Sequence, residues 1–135
     1  ARYEDAKFFY LLDTTKHLVD FREQLKGILF QERLGSMLDK SKRVEKIVSR
    51  LGAAMRLEEN KLSVAQSAAE VTMSDLATTM VMEFTSLAGI MGRHYALREG
   101  YSQEVADAIF ERVLPRFSGD KLPKTDAGIL LAVAD

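Results

Sequence analysis

The sequence predicts an all-α fold, a compact multi-helix globular domain. Apolar residues recur at spacings of three and four along most of the chain, which is typical of helices with one buried face. Serine, threonine or aspartate precedes most of these stretches, as expected of helix N-caps. No pair of strand patterns is clear, and the 8 glycines and 2 prolines lie mostly at breaks. We therefore expect about seven short helices packed against one another.

The composition is that of a folded domain. The 135 residues predict a single domain over 1–135, and 47% apolar with 29% charged residues is in the globular range. A net charge of −1 does not indicate a polyanion partner, although a local basic patch is possible. Cysteine is absent, which excludes disulfides, thiolate metal ligands and a cysteine nucleophile. No apolar run approaches the roughly 20 residues of a membrane span, so we expect no membrane partner.

The two ends of the chain predict a segment of a longer polypeptide. The first residue is Ala1 rather than methionine, and no signal peptide opens the chain. Residues 128–135 form an apolar helical run that stops without a cap. We therefore expect the domain to be excised from a longer chain.

The first elements precede a short apolar turn at 27–35. Residues 8–12 are continuously apolar, which predicts a short buried strand or an irregular anchoring segment. Thr14 or Thr15 then caps a helix over 16–26. Its buried stripe is Leu18, Phe21 and Leu25, with His17 exposed beside it.

The next helix, capped by Ser36 and running to about Met55, is the most basic one. Its apolar seam comprises Met37, Val44, Val48, Leu51 and Met55, widened by Ile47 and Ala54. Its other face carries Lys40, Lys42, Arg43, Lys46 and Arg50 against Asp39 and Glu45. Two interpretations are open: a solvated surface, or a face directed at an anion.

Further helices follow to the end of the chain. They are an alanine-rich helix over 61–71, a helix over 76–84 capped by Ser74-Asp75, a helix over 103–114 capped by Ser102 and ended by Pro115, and a last helix from Asp126 capped by Thr125. A loop over 116–123 separates the last two.

The stretch 83–100 contains two glycines inside an apparent helix. A glycine in a helix interior costs about 1 kcal/mol relative to alanine, so Gly89 and Gly92 predict a close approach to bare backbone. Packing against another helix is favoured over a ligand or a nucleic-acid backbone. Gly100 is expected to end the helix as a left-handed cap.

Catalytic motifs are absent from the sequence. No glycine-rich loop follows a strand, and neither histidine lies near a nucleophile motif. His17 is followed by leucine and His94 by tyrosine, so the His-Asp dipeptide of a helical metal phosphohydrolase is missing. His94 is either a satisfied, partly buried core histidine, which is favoured, or a contact to phosphate or a stacked base together with Arg93 and Tyr95.

Several blocks in order across nearly the whole chain resemble the central part of the β subunit of bacterial-type glycyl-tRNA synthetase, found in bacteria and chloroplasts. The blocks are DAKFFY from Asp5, GILFQERLG from Gly27, Asp39-Lys40 with Arg43, MVMEF from Met80, LAGIMGRHYA from Leu87, VADAI from Val105 and LPRFSGDKLP from Leu114. The resemblance implies the helical HD-like domain of that subunit, retained without metal chemistry.

The resemblance also implies a function. It implies an α2β2 ligase that charges tRNA with glycine using ATP and Mg, in which the α subunit activates the amino acid. This fragment would hold no cofactor and no catalytic or metal residue, and would contribute tRNA binding and assembly. Its partners would be glycine tRNA, the α subunit and flanking β-subunit domains, in the bacterial cytoplasm or the chloroplast stroma.

Basic side chains are the expected RNA contacts. We expect the tRNA backbone to be faced by Arg33, Lys40, Lys42, Arg43 and Arg93, because cations suit phosphates. Two alternatives stand beside this hypothesis. One is a stand-alone HD-type metal phosphohydrolase, which the missing His-Asp pair disfavours. The other is a purely structural module that joins neighbouring domains.

Overall fold

A computed structural model describes residues 2–135, and Ala1 of the predicted domain lies outside them. The described residues form eight α-helices: α1 Arg2–Asp13, α2 Leu18–Gln24, α3 Met37–Ala54, α4 Glu59–Val71, α5 Thr79–Glu83, α6 Ile90–Arg98, α7 Gln103–Glu111 and α8 Asp126–Ala134. Short 3-10 turns lie at Leu25–Gly27, Ser74–Ala77 and Thr85–Leu87. A small antiparallel hairpin pairs β1 (Leu29–Gln31) with β2 (Gly35–Ser36). No helix within this range is long and apolar enough to cross a bilayer.

The core lies between the helices α3, α4, α7 and α8. Helices α3 and α7 each pack on both α4 and α8, and α4 packs on α8. Helix α6 packs on α7, and α1 packs on α5. Three fully buried alanines of α4, Ala65, Ala68 and Ala69, present little side-chain bulk. Their small size lets neighbouring helices approach α4 closely, because only a methyl group separates the backbones.

The all-α prediction is confirmed, and several local signals are confirmed with it. Ser36, Ser102 and Thr125 each accept a backbone N–H in the first turn of the helix they precede. Gly100 has a φ of +96°, the left-handed conformation expected after the end of α6. The HD-like character of the fold stays a prediction.

The predictions for residues 8–12 and 27–35 need correction. Residues 8–12 belong to helix α1 and are not a buried strand, since Phe8 is 59% exposed and Leu11 is 58% exposed. The turn over 27–35 is a hairpin, whose strands meet because Gly35 adopts a φ of +85° that other residues rarely adopt.

Helix α2 begins later than predicted. Thr14 and Thr15 do not cap it, because their hydroxyls donate back to the carbonyls of Leu11 and Leu12 and so belong to the end of α1. The helix begins after His17, whose backbone N–H donates to the carboxylate of Asp20 at 2.9 Å. The predicted buried residues Leu18, Phe21 and Leu25 and the exposed His17 are confirmed.

Residues 74–100 also differ from the prediction. Ser74 and Asp75 lie fully buried in a 3-10 turn, and Thr78 caps the next helix instead. Gly89 does not lie inside a helix: it has a φ of +82° and directly precedes α6, while Gly92 lies in the first turn. The chain therefore bends at Gly89, where only glycine adopts this conformation easily.

The close approach predicted at the two glycines is a buried carboxylate. Oδ2 of Asp75 accepts the backbone N–H of Gly89 at 2.7 Å and that of Gly92 at 2.9 Å. A Cβ on Gly92 would lie 2.9 Å from Cγ2 of Ile109 and 3.0 Å from Oδ2 of Asp75. Gly92 is thus required by packing against α7 and by the carboxylate together.

Three other carboxylates bind distant helix starts in the same way. Asp13 accepts the N–H groups of Thr79 and Met80 at the start of α5 and the hydroxyl of Tyr95. Glu99 accepts the N–H of Leu18 at the start of α2. Glu111 accepts the N–H groups of Lys124 and Thr125 before α8. Each bond ties the N-terminus of one helix to another element.

Burial raises the pKa of Asp75 above its ordinary value of 3.8, although the Gly89 N–H favours the charged form. The folded chain therefore holds this proton to a higher pH than the unfolded chain. The resulting stabilisation is complete below pH 3.8 and is lost as pH rises towards the folded pKa.

We predict that Asp75→Asn removes this pH dependence. Its amide oxygen keeps both glycine N–H bonds, and its NH2 replaces Oδ1, a buried oxygen without a hydrogen-bond partner among the described residues. The unfolding free energy of the wild type, measured by urea titration, should fall relative to that of Asp75→Asn as pH rises above 3.8. A difference that stays constant between acid and neutral pH would contradict the prediction.

We predict that Gly92→Ala destabilises the fold although alanine favours helices. Overpacking typically costs about 1–3 kcal/mol, and the gain in helix propensity offsets about 1 kcal/mol, so the net loss should be up to about 2 kcal/mol. Chemical denaturation measures it. Gly27→Ala is the matched control, because a Cβ there meets no atom within 4 Å; equal effects of the two changes would refute the packing explanation.

Candidate nucleic-acid interface

The most basic concave surface of the described residues is an open groove of about 430 Å³ between the hairpin and α3. Its lining residues are Arg33, Leu34, Gly35, Asp39, Lys42, Arg43 and Lys46. Four of the seven are cationic, and Asp39 is the one acid. The groove is therefore a local concentration of positive charge in a chain whose net charge is −1.

The junction between hairpin and helix is held by a capping box. Ser36 Oγ accepts the N–H of Asp39 at 3.2 Å, and Asp39 Oδ2 accepts the N–H of Ser36 at 3.0 Å. A Cβ on Gly35 would collide with the same carboxylate. The Ser36 N–H, with smaller contributions from Lys42 and Arg43, lowers the pKa of Asp39 below its ordinary value of 3.8. Asp39 is therefore anionic at neutral pH and engaged by the backbone.

Arg43 and Lys40 are anchored around Phe30. Arg43 Nη1 donates to the carbonyl of Leu34 at 3.0 Å, and its guanidinium lies 5.9 Å from the Phe30 ring centroid. Lys40 Nζ lies 4.6 Å from the same centroid and 2.8 Å from a carboxylate oxygen of Asp135. Arg43 is thus pre-positioned at the groove, whereas the charge of Lys40 is balanced by Asp135.

Arg33 and Lys42 are both exposed, and Lys46 is exposed one turn beyond Lys42 on α3. None of the three makes an ion pair within residues 2–135. Their charges therefore face solvent. Lys46 was not among the predicted contacts, although its spacing of four from Lys42 on a helix could have identified it.

The structure does not bring Arg93 to this groove. Its guanidinium lies 4.2 Å from the ring centroid of Phe110 on α7, and it lines a second, smaller cavity beside Lys121 and Lys124. Arg93 therefore lies on a surface separate from the groove that holds Arg33, Lys42 and Arg43. Sequence spacing could not relate Arg93 to α3, because the two helices are far apart along the chain.

His94 and Tyr95 occupy different environments. His94 is exposed rather than partly buried as expected, and its Nε2 lies 2.9 Å from the hydroxyl of Tyr10. Tyr95 is buried and donates its hydroxyl to Asp13 at 2.9 Å, so it does not face an RNA ligand. Burial, reinforced by Asp13, raises the pKa of Tyr95.

No group of three or more histidine, aspartate or glutamate side chains in residues 2–135 is arranged to hold a metal ion. The buried acids of this range instead accept backbone N–H groups. The fold and the groove thus define an all-helical domain with a basic surface, in which the buried carboxylates are structural.

Comparison with known proteins identifies the family. A profile of the family described as "Glycyl-tRNA synthetase beta subunit" matches residues 1–135. The chain belongs to the glycyl-tRNA synthetase β-subunit family.

The relatives are much longer than this chain. It is 60% identical over its whole length to "Glycine--tRNA ligase, chloroplastic/mitochondrial 2" of Arabidopsis thaliana, covering 13% of that protein. It is 47% identical to a "Glycine--tRNA ligase beta subunit" of Halothermothrix orenii and 49% identical to one of Persephonella marina, again over its whole length, covering 20% and 19% of them. The chain thus spans a fifth or less of these relatives.

We predict that Asp39→Asn destabilises the hairpin–α3 junction in a pH-dependent way. Because the folded pKa of Asp39 lies below 3.8, its charge stabilises the fold above that pH and the effect is lost as pH falls through the folded pKa. The thermal midpoint of the variant should be lower than that of the wild type at pH 7 and equal to it in strong acid. Asp5→Asn, at an exposed position of α1, is the control that also removes one negative charge. The same dependence of the thermal midpoint on pH in both variants would contradict the prediction.

Proposed function

We propose that this chain is a non-catalytic domain of the β subunit of glycine–tRNA ligase and that its basic groove binds the phosphate backbone of glycine tRNA. The observation that carries the proposal is the cluster of solvent-facing cations between the hairpin and α3. Family membership supplies the context, because the relatives are named as glycine–tRNA ligases.

The groove suits a phosphate backbone rather than a small ligand. It is open and shallow, and its cations come from a hairpin tip and from consecutive turns of one helix. Lysine and arginine side chains that neutralise phosphates release condensed counterions, so such binding falls steeply with salt. Arg43, held by the Leu34 carbonyl, would provide a fixed contact, and Arg33 and Lys42 would provide mobile ones.

The whole ligase would use ATP and Mg for glycine activation, which we assign to the α subunit rather than to this domain. Beyond tRNA, its partners would be the α subunit and the flanking parts of the β chain, to whose assembly the domain would contribute. A bacterial cytoplasm or a plastid stroma would suit the domain, since its relatives include bacterial proteins and one named chloroplastic/mitochondrial.

We predict that Lys42→Ala combined with Lys46→Ala, in the full protein that contains this chain, weakens glycine tRNA binding. Each lost phosphate contact should reduce the slope of log affinity against log salt by about 0.9 or less, so the double variant should lower it by about 1–2. Fluorescence anisotropy across a salt series measures the affinity. Lys7→Ala with Lys26→Ala, in α1 and in the 3-10 turn after α2, is the matched loss of two exposed lysines that line no part of the groove and make no ion pair within residues 2–135.

An unchanged affinity and slope in the groove variant at low salt would refute RNA binding by the groove and favour the interdomain scaffold. Equal losses in the groove and control variants would indicate a general charge effect, which also contradicts the proposal. A stand-alone metal phosphohydrolase would instead require metal-dependent phosphate release by this chain.

A further inference from the structure

The loop between α7 and α8, residues 115–125, is a second surface with unusual construction. It contains the exposed side chains of Phe117, which is 63% exposed, and Leu122, which is 65% exposed. A single exposed aromatic ring is common on protein surfaces and does not by itself mark a binding site. A binding role for Phe117 therefore requires that the loop holds its ring in a fixed position.

Two carboxylates hold the backbone of this loop. Asp120 accepts the N–H of Arg116 at 3.0 Å and the N–H of Lys121 at 2.8 Å, and it also accepts Arg116 Nε at 2.9 Å. The side chain of Asp120 is only 6% exposed. Glu111 accepts the N–H groups of Lys124 and Thr125 at the other end. The exposed ring of Phe117 is thus presented by a loop fixed at both ends.

Cations surround the aromatic rings of this surface. Arg116 lies 5.6 Å from the ring centroid of Phe117 and 5.4 Å from that of Phe110, and Arg93 lies 4.2 Å from Phe110. Lys121 and Lys124 line the adjoining cavity of about 150 Å³. Arginines alternating with aromatic rings form stacking platforms for bases, with cations positioned for phosphates.

The acids of this surface are turned inward or engaged. Glu111 is 9% exposed and accepts the Thr125 hydroxyl in addition to its backbone donors. Asp120 is occupied by the loop, and Asp107 accepts Gln103 Nε2 at 2.9 Å. The carboxylates keep their charge, but Arg93, Lys121 and Lys124 make no ion pair within residues 2–135. These three cations are therefore available to a phosphate backbone, which they complement better than an apolar or basic protein surface.

We propose that this surface, centred on Phe117, binds an unpaired nucleotide of RNA by stacking its base on the ring. Bases within a duplex are already stacked and offer no free face, whereas an unpaired base does. Arg116, Lys121 and Lys124 would contact the neighbouring phosphates. This inference rests on the proposed RNA-binding function, and adds to it a surface separate from the groove and a preference for single-stranded RNA.

The test measures the affinity of the full protein that contains this chain for two RNA probes. The probes are a short, unstructured, fluorescein-labelled oligoribonucleotide of A and U, and an RNA duplex of the same length. Phe117→Ala should weaken single-strand binding by about 5- to 150-fold, the range for loss of one base–aromatic stack, and change duplex binding less than about twofold. Phe117→Tyr keeps the aromatic ring and should keep the affinity.

Val133→Ala is the control, because it removes a comparably exposed apolar side chain, 68% exposed, near the end of α8 and outside the proposed surface. It should change single-strand binding less than about twofold. Single-strand affinity unchanged in Phe117→Ala, or an equal loss in Val133→Ala, would overturn the proposal.

Failure of the stacking proposal is distinguishable from failure of the proposal that the groove binds RNA. Loss of the two groove lysines should change the salt slope for both probes, whereas Phe117→Ala should leave the slope unchanged, since stacking releases no counterions. A reduced slope in the groove variant with no effect of Phe117→Ala would retain the groove and reject only the stacking surface.

Discussion

The fold depends on carboxylates that accept backbone N–H groups at the starts of distant helices. Short helices leave a large share of their N–H groups without intrahelical partners, and this cost rises where helix ends are buried. Asp13, Asp75, Glu99 and Glu111 satisfy the starts of α5, α6, α2 and the segment before α8. Each bond also fixes where its two elements lie. The same interactions therefore satisfy the free N–H groups and set the arrangement of the helices.

These bonds occupy most carboxylate oxygens of the buried acids, and Oδ1 of Asp75 is the one buried carboxylate oxygen without a hydrogen-bond partner among the described residues. Asp75 is buried and occupied by Gly89 and Gly92, and Asp13 is shared between α5 and the Tyr95 hydroxyl. Buried acids are often candidates for catalysis, but an acid that already accepts several donors has little capacity left for a substrate. The binding capacity of the described residues therefore lies at the surface, in the exposed cations and aromatic rings.

The two candidate surfaces are built in the same way, around a carboxylate that accepts backbone N–H groups. At the groove, Asp39 ties the hairpin to α3 and leaves Lys42 and Arg43 facing outward. At the loop after α7, Asp120 ties the backbone and leaves Phe117 facing outward. In both, an acid that accepts backbone N–H groups fixes the local backbone, and exposed side chains stand beside it. The positive charge of the groove comes from the number of its cations, four against the single acid Asp39.

The sequence by itself determined the all-helical class and several caps, because periodicity and capping at Ser36, Ser102 and Thr125 act within a few residues. It also determined the basic face of α3. It did not identify α1, whose residues 8–12 were expected as a strand or an anchoring segment. Only the tertiary structure decided that Gly89 and Gly92 serve Asp75, and that Arg93 lies with Phe110 rather than in the groove. These relations join residues distant along the chain, and local pattern carries no information about which side chain a fold brings to a given backbone group.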